Sequence, residues 1–402
     1  MSHLRAGLGH SCAADPRDAV VEALTQAQKG LAGLPPQLAF FTSTVEHSAD
    51  ALWQALRAAL PTTLLHGITT SLGVLGTDGL CASPVGAVGV LLFAGDGDVR
   101  FAVGHAEIEG DGKASGRAAA QAIADAGRGE QPALLFFNAA PGLEEGLLAG
   151  VAAVLPDVPA YGGSAADHAI AGEWTVFTDA GPRKNAVSIA AVFGAVTIGG
   201  ALIAPYRPAG PTATVTRGSG RRLAELDGQP AAQVLNRWTK GSLDYQLAEG
   251  GNILAQTALS PLGRRYDTPF GPHFVTLHPA HVHAPSHEVD LFAAISLGTE
   301  LCLMSSSADG LIQVLGELVQ RAFDRGKLKK DEVRAGVLIY CAGCAGSVGP
   351  NLDAGLRQKL KPALGSVPLL GMCTFGEQGF VAGLGNVHQD LSVSLVLIGE
   401  RT

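Results

Sequence analysis

The sequence predicts a mixed α/β (α+β) fold, with layered β-sheets in two domains and helices on the outer faces. Two observations carry that expectation. Helix-period and strand-like patterns alternate along the whole chain. The strand-like segments, among them Gln37–Thr42 (QLAFFT), Ala133–Asn138 (ALLFFN) and Gly336–Cys341 (GVLIYC), are apolar on both faces, so their sheets need cover on both sides. The chain has 402 residues, 47% of them hydrophobic and 16% charged, enough to bury a large core and to divide into two or three domains. Glycine, at 53 residues against about 28 from average usage, implies many tight turns and close backbone approaches.

The elements follow in order. Asp15–Ala32 has helical periodicity, with Asp15 placed to cap it before Pro16. Gln37–Thr42 is a strand, His47–Leu60 a helix capped by Ser48, and Thr62–His66 a short strand. Val85–Ala94 and Val99–Gly104 read as a hairpin around Gly95-Asp96-Gly97-Asp98, because Asp-Gly turns favour that connection. Ala114–Ala126 and Gly142–Leu155 are helices flanking the strand Ala133–Asn138, and Trp174–Thr178 is another strand. Ala186–Ala204 is uncharged and long enough to span a bilayer, but its glycines and β-branched residues fit two buried strands joined at a turn. The Pro205–Pro211 cluster marks a boundary, giving domains 1–210 and 211–402. Beyond it come a strand at Thr212–Thr216, a helix at Pro230–Lys240, an irregular stretch over Gly250–Pro272, and strands at Phe274–His278, Val289–Ser296 and Glu300–Met304. Ala308–Arg325 is an amphipathic helix, Leu352–Leu364 a second, and Pro368–Cys373 and Leu391–Ile398 are strands. No short repeat is visible, although the two halves share a helix–strand rhythm.

Composition excludes several classes. The formal net charge is −8 and no basic stripe appears, so nucleic acid is not an expected partner. Arg221-Arg222, Arg264-Arg265 and Lys327-Leu328-Lys329-Lys330 are short and isolated, and read as solvated surface. Met1 to Asp15 lacks a signal-peptide pattern, and no membrane partner is expected. Six scattered cysteines without an export signal read as free thiols in a reducing compartment, and the chain as a soluble cytoplasmic protein of bacterial type.

Chemistry concentrates at two strand ends. Cys341-Ala-Gly-Cys344 and Gly371-Met-Cys373-Thr-Phe-Gly-Glu377 end strands in glycines, thiols and one carboxylate, which reads as one wall of a small-molecule pocket. Cys-x-x-Cys admits a redox pair, half a zinc site, buried inert thiols or pocket-lining thiols. The Ala-Gly-Ser-Val-Gly-Pro-Asn that follows suggests that the next helix is delayed, which opposes a redox pair. Glu377 near Cys373 would raise the thiol and suits an acid/base or ammonium-anchoring role better, with an exposed turn as the plain alternative. His278-Pro-Ala-His281-Val-His283-Ala-Pro-Ser-His287 puts His281 and His283 on one face of an extended segment, a two-ligand metal or haem arrangement or a surface loop. Gly162-Gly163-Ser164 with Asp167 forms a loop suited to line a pocket or to serve as a structural turn. Ser164, Asp167 and His168 are too close in sequence to converge as a hydrolase triad.

The order of these segments resembles the FIST family of intracellular sensory proteins. Gly162-Gly163-Ser164-Ala165-Ala166-Asp167 matches a family landmark. Val215-Thr216-Arg217-Gly218 with Glu225-Leu226-Asp227-Gly228-Gln229-Pro230-Ala231 resembles the bridge into the second half, and Cys341-Ala342-Gly343 and Gly371–Glu377 with His388 resemble the later landmarks. His66-Gly67-Ile68-Thr69-Thr70-Ser71-Leu72-Gly73 stands at the first turn, without the Cys and Glu the family carries there. Cys344 replaces an expected Arg, and Gln389 an Asn. The resemblance implies a sensory module that binds a small molecule, an amino acid or similar polar metabolite, and signals through a separate partner protein. The expected ligand contacts are Gly162, Gly163, Ser164, Asp167, Cys341, Gly343, Cys344, Cys373, Gly376 and Glu377, with no cofactor. Two alternatives stand beside it. One is a cysteine-dependent hydrolase, lyase or isomerase using Cys341 or Cys373 with Glu377 or His388 as acid/base. The other is a haem-binding nitric oxide sensor, a role the resemblance also implies, with His281 and His283 as the metal candidates.

Overall fold

The computed structural model describes residues 4–400. Three stretches of the chain fold to one pattern: strand, helix, strand, helix, parallel strand, an outgoing hairpin and a returning strand. The first holds β1 (Leu4–Ser11), α1 (Pro16–Gln28), β2 (Leu38–Ser43), α2 (Ala49–Ala59), β3 (Leu64–Thr69), the hairpin β4 (Ser71–Gly76)–β5 (Gly79–Cys81), and β6 (Val88–Gly95). The second holds β7 (Arg100–Glu107), α3 (Lys113–Gly127), β8 (Leu134–Ala139), α4 (Glu144–Ala152), β9 (Ala160–Ser164), the hairpin β10 (Val176–Thr178)–β11 (Gly181–Arg183), and β12 (Ala186–Phe193).

The third opens with β13 (Val196–Ile203) and is interrupted by a lobe. The lobe comprises β14 (Arg207–Ser219), β15 (Arg222–Leu226), β16 (Gln229–Pro230), α5 (Ala231–Trp238), α6 (Asp244–Glu249), β17 (Gly251–Asn252), α7 (Leu254–Thr257), β18 (Leu262–Thr268), β19 (Gly271–Leu277), β20 (Pro279–His283), β21 (Glu288–Leu291) and β22 (Glu300–Ser305). The unit then resumes with α8 (Ala308–Gly326), β23 (Val333–Cys341), α9 (Ala342–Val348), α10 (Leu352–Leu364), β24 (Leu369–Thr374), the hairpin β25 (Glu377–Val381)–β26 (Gly385–Gln389), and β27 (Val393–Glu400). The lobe has its own sheet and its own core, built on Leu223, Leu226, Leu235, Leu277, Val289 and Leu301.

Each unit builds one six-stranded sheet, in the orders β1-β6-β2-β3-β10-β11, β7-β12-β8-β9-β25-β26 and β13-β27-β23-β24-β4-β5. The last two strands of every sheet are a hairpin lent by another unit, so the three units exchange hairpins in a closed ring. Register repeats too. Gly67 pairs Phe41, Gly162 pairs Phe137 and Gly371 pairs Leu338 in the three parallel ladders. The residue at or just after the end of the first parallel strand, Thr44, Ala140 or Cys341, donates its N–H to the strand that closes its own unit or the residue just before it, at Ala87 O, Ala186 O or Ser392 O.

The apolar strands are covered on both faces, as their sequences require. Phe40, Phe93, Phe136, Ile339 and Met372 from the three sheets meet in one core. The helices lie outside. α1 and α2 cover the first sheet, and α8 and α10 cover the third. His66 is sealed among these sheets, 4.8 Å from the Phe40 ring, with Nδ1 2.9 Å from Ser188 Oγ; burial pushes it down to about 3. Glycines let the outer helices approach. A Cβ at Gly7, Gly104 or Gly199 would lie 1.8, 2.1 or 2.2 Å from the carbonyl oxygen of Ala27, Ala119 or Ala322.

Asp15 caps α1 through the N–H groups of Arg17 and Asp18, and Ser48 caps α2 through Ala51 N. The uncharged Ala186–Ala204 stretch is two strands, β12 and β13, turned at Gly194 with φ +94°. No described helix is long and apolar enough to cross a membrane. Other expectations are corrected. β6 and β7 do not form a hairpin: β6 pairs along its length with β1 and β7 with β12, and the Asp-Gly turn hands the chain from the first unit to the second. The stretch from Gly250 to Pro272 is not irregular but carries α7 and β18. The repeat is threefold, hidden because the lobe splits the third unit.

Gly104→Ala is expected to lower unfolding stability by about 3 kcal/mol, because its Cβ would strike a helix carbonyl. Gly316→Ala, inside α8 with open space around it, is expected to raise stability by up to about 1 kcal/mol. Urea unfolding of both variants checks the pair; equal stability of the two would contradict the packing described.

Candidate functional site

The parallel strands β8, β23 and β24 all end beside the lobe, and they leave through a turn with Gly142, the first turn of α9 with Gly343, and a turn with Gly376. In α/β sheets the carboxyl ends of parallel strands are where ligands bind. A cavity of about 640 Å³ lies there. The body supplies Gly142, Cys341, Gly343, Ser347, Thr374 and Phe375; the loop after β9 supplies Ile170 and Trp174; the lobe supplies Arg221, Leu254, Ala258, His278 and Phe292. Asp390, after β26, completes the wall. The lining is mainly apolar, with Trp174 and Phe375 edge-on at 6.2 Å. Its size suits a small metabolite.

A buried ionic chain runs behind this wall. Arg221, in the β14–β15 turn, donates Nη2 to Glu144 Oε2 at 2.6 Å and to Glu145 Oε2 at 3.0 Å, both at the start of α4. Glu144 also accepts from Gly142 N and from Ser164 Oγ, at 3.0 and 2.6 Å. Gln378 Nε2 donates to Ser164 Oγ at 3.3 Å and lies 3.1 Å from His388 Nδ1. His388 Nε2 faces Asp390 Oδ1 across 3.5 Å, and Asp390 Oδ2 accepts from His278 N at 2.8 Å. Asp390 Oδ1 and His388 Nε2 are buried and make no hydrogen bond.

Charge sets the states of these groups. Burial would lower His388, but Glu144, Asp390 and Glu145 raise it to about 9. Burial would raise Glu144 and Glu145, but His388 and Arg221 hold both low, Glu145 at about 2. A protonated His388 needs an acceptor at Nδ1. Turning the Gln378 amide over supplies its Oε1, which is otherwise buried without a partner. Glu377 behaves differently: burial lifts it well above the carboxylate range, although Thr374 Oγ1 and Ser392 N and Oγ all donate to it. It sits one layer behind Thr374, whose hydroxyl donates to it.

The thiols are not poised as nucleophiles. Cys341 lines the cavity, but its hydrogen bond with Cys344 and its burial push it well up. Burial also raises Cys373, whose side chain packs in the core under the outer helices. Cys344 is buried there too, 3.6 Å from Tyr206 Oη. The helix after Cys341 is not delayed: α9 begins at Ala342, directly after the strand.

Of the residues singled out in the sequence, Cys341 and Gly343 line the cavity. Ser164 and His388 belong to the ionic chain, and Gly376 sits against His388, 2.5 Å from the position its Cβ would take. Gly162 and Gly163 pair in register with Gln378 and Glu377, while Cys344 and Cys373 are packed away from the cavity. Asp167 accepts three N–H bonds, from Ala169, Ala171 and Glu173, and so shapes the loop that carries Ile170 and Trp174 to the wall. His281 and His283 do share a face, with rings 4.8 Å apart, but His283 is held by Asp290 at 2.6 Å; among the described residues no group of three or more His, Cys, Asp or Glu could hold a metal ion. Arg221, read as surface, is instead a cavity residue, because two glutamates far away in sequence bury it. Phe375 lies within the Gly371–Glu377 stretch expected to form a pocket wall, whereas Glu144, Glu145, Trp174 and Asp390 were not among the expected site residues. The Glu144-Glu145 pair just after Gly142 was the one available signal.

Comparison with known proteins places the chain in a family. The FIST N domain matches residues 37–229 and the FIST C domain residues 231–380. The chain belongs to the FIST family, whose domains are sensory, ligand-binding domains. No curated protein sequence matches it significantly. Among solved structures it is similar to a cyanuric acid hydrolase (10% identity, TM-score 0.38) and to the cyanuric acid hydrolase from A. caulinodans (12%, 0.40), each over 100% of both chains. T. maritima PurL complexed with ADP is similar at 10% identity and TM-score 0.24, over 99% of this chain and 72% of that one. Likenesses at this level carry no activity across to the present chain.

His388 gives a pH test. Its folded value of about 9 lies above the free value of 6.5, so its proton stabilises the fold fully below pH 6.5, and that contribution is lost as pH rises towards 9. Wild-type stability is expected to fall by up to about 3 kcal/mol across that window. His388→Gln, neutral throughout, is expected to lose this slope in denaturant titrations at pH 6, 7.5 and 9 (about one and a half units apart). An identical slope in both proteins would contradict the assignment.

Proposed function

We propose that this chain is a cytoplasmic sensory protein of FIST type that takes one small polar metabolite, an amino acid or a related amine, into the cavity between body and lobe. The observation that carries the reading is Asp390. Asp390 lines a mostly apolar chamber, and its buried Oδ1 makes no hydrogen bond, facing only His388 Nε2 across 3.5 Å. A buried carboxylate oxygen in that state favours a ligand N–H. The charges behind the wall point the same way. Glu144, Glu145 and Asp390 are three carboxylates against two cations, Arg221 and His388, so the surplus is negative. Trp174, Phe375 and Phe292 would cover the apolar part of the ligand.

A ligand seated there touches strand ends of the body and α7 of the lobe together. It would favour one relative position of the two, and a separate signalling partner would read that position. The raised thiols of Cys341 and Cys373 weigh against a cysteine-dependent reaction, and the reading needs no cofactor.

A thermal-shift screen tests it, with amino acids, primary amines with apolar tails, and the matching carboxylates without nitrogen. Amine-bearing compounds are expected to raise Tm, by the equivalent of about 2.7 kcal/mol at one hundred times Kd. Asp390→Asn is expected to weaken the best of them about tenfold or more. No stabilisation by any compound, or equal stabilisation of the variant, would overturn the reading.

A further inference from the structure

Two of the six cysteines stand apart from the rest. Cys302, Cys341, Cys344 and Cys373 are buried, whereas Cys12 and Cys81 are only partly buried and free. Their sulfur atoms lie 3.0 Å apart although 69 positions separate them in the chain. Cys12 follows β1, at the outer edge of the first sheet. Cys81 ends β5, the outermost strand of the third sheet. The contact therefore spans a seam between two sheets, at the hairpin that the first unit lends to the third.

We propose that Cys12 and Cys81 form a redox modification site that a hydroperoxide closes to a disulfide. A disulfide needs S–S of about 2.05 Å, so closure asks for roughly 1 Å of movement at solvent-reachable side chains near the ends of their strands. Burial and the neighbouring Cys12 push Cys81 up to about 12, which leaves Cys12 to react first. The Cys12 thiolate attacks the O–O bond of the peroxide; with hydrogen peroxide this gives a sulfenic acid and hydroxide, which takes up a proton to become water. The Cys81 sulfur then displaces the hydroxyl from the Cys12 sulfur. The S–S bond forms, the Cys81 proton leaves with that hydroxyl as a second water, and one peroxide has been reduced for two thiols oxidised. A thiol reductant reverses the change.

The bond would fasten the lent hairpin to the first sheet. That hairpin, β4–β5, is hydrogen-bonded to β24, the strand whose end, Thr374 and Phe375, forms part of the cavity wall. Thr70, just before β4, also binds Cys373 N and O through its hydroxyl. Oxidation therefore acts on a support of the ligand chamber without using any of its lining residues.

The full-length protein, reduced and then treated with stoichiometric hydrogen peroxide, is the test. The expected result is an intact mass lower by about 2 Da, a Cys12–Cys81 linked peptide in a non-reducing digest, and reversal by dithiothreitol. Tm is expected to be higher oxidised than reduced, and Cys12→Ser is expected to remove that difference. In Cys81→Ser, Cys12 is expected to stay as a sulfenic acid that dimedone traps. Oxygen adducts on the two separate thiols, a linked pair at Cys341 and Cys344, or dimers joined between chains would each overturn the proposal. The wild-type digest decides it even where a variant fails to fold.

Discussion

The ion pair of Arg221 with Glu144 and Glu145 is the contact on which the candidate site depends. It joins the inserted lobe to the strand ends of the body, with Glu144 fully buried and Arg221 largely so. Two carboxylates this close would repel each other if no cation lay between them. Removing one partner of a buried pair typically costs about 3–5 kcal/mol, because the remaining charge is stranded. The guanidinium therefore fixes where the lobe sits, and the lobe roofs the cavity. The same pair extends through Ser164, Gln378 and His388 to Asp390, so the wall that faces a ligand is electrically continuous with the joint that holds the lobe.

The threefold architecture explains why one such site exists among three similar strand ends. The second and third units leave their parallel strands beside Gly142, Gly343 and Gly376, and all three units lend a hairpin to another sheet. The third alone carries an insertion, between β13 and α8, and that insertion covers strand ends of the second and third units. Repetition supplies a rigid frame, because each sheet is completed by a strand pair from another unit and cannot detach alone. The insertion supplies asymmetry, and with it an enclosed space. Rigid strand ends beneath a separately cored lobe are the arrangement in which a ligand can bias a position rather than reshape a core.

Much of the fold was legible in the sequence because it rests on local signals. The buried strands QLAFFT, ALLFFN and GVLIYC, the Asp15 and Ser48 caps and the amphipathic helix at Ala308 all encode their structure within a few residues. What was hidden depends on pairing at long range. The Asp-Gly turn after β6 looks like a hairpin turn, and nothing local says that the strands on either side join different sheets. The strand ends at Cys341 and Gly371–Glu377 do meet at a cavity, but Thr374 and Phe375 face it while Cys373 faces the helices, an alternation that turns on strand orientation. Arg221 looked like surface because its two acids lie 77 and 76 positions away. Asp390 gave no sign, since its importance lies in an unmet hydrogen bond.

The central claim is that this chamber receives a small amine-bearing ligand at Asp390, and a crystal structure with the strongest stabilising amine tests it most directly. The expected result is ligand density between Trp174, Phe375 and Phe292, with its nitrogen about 3 Å from Asp390 Oδ1 and Arg221 still clamped between Glu144 and Glu145. A chamber closed by the Trp174 or Phe375 side chain, or a ligand bound anywhere else on the protein, would contradict it.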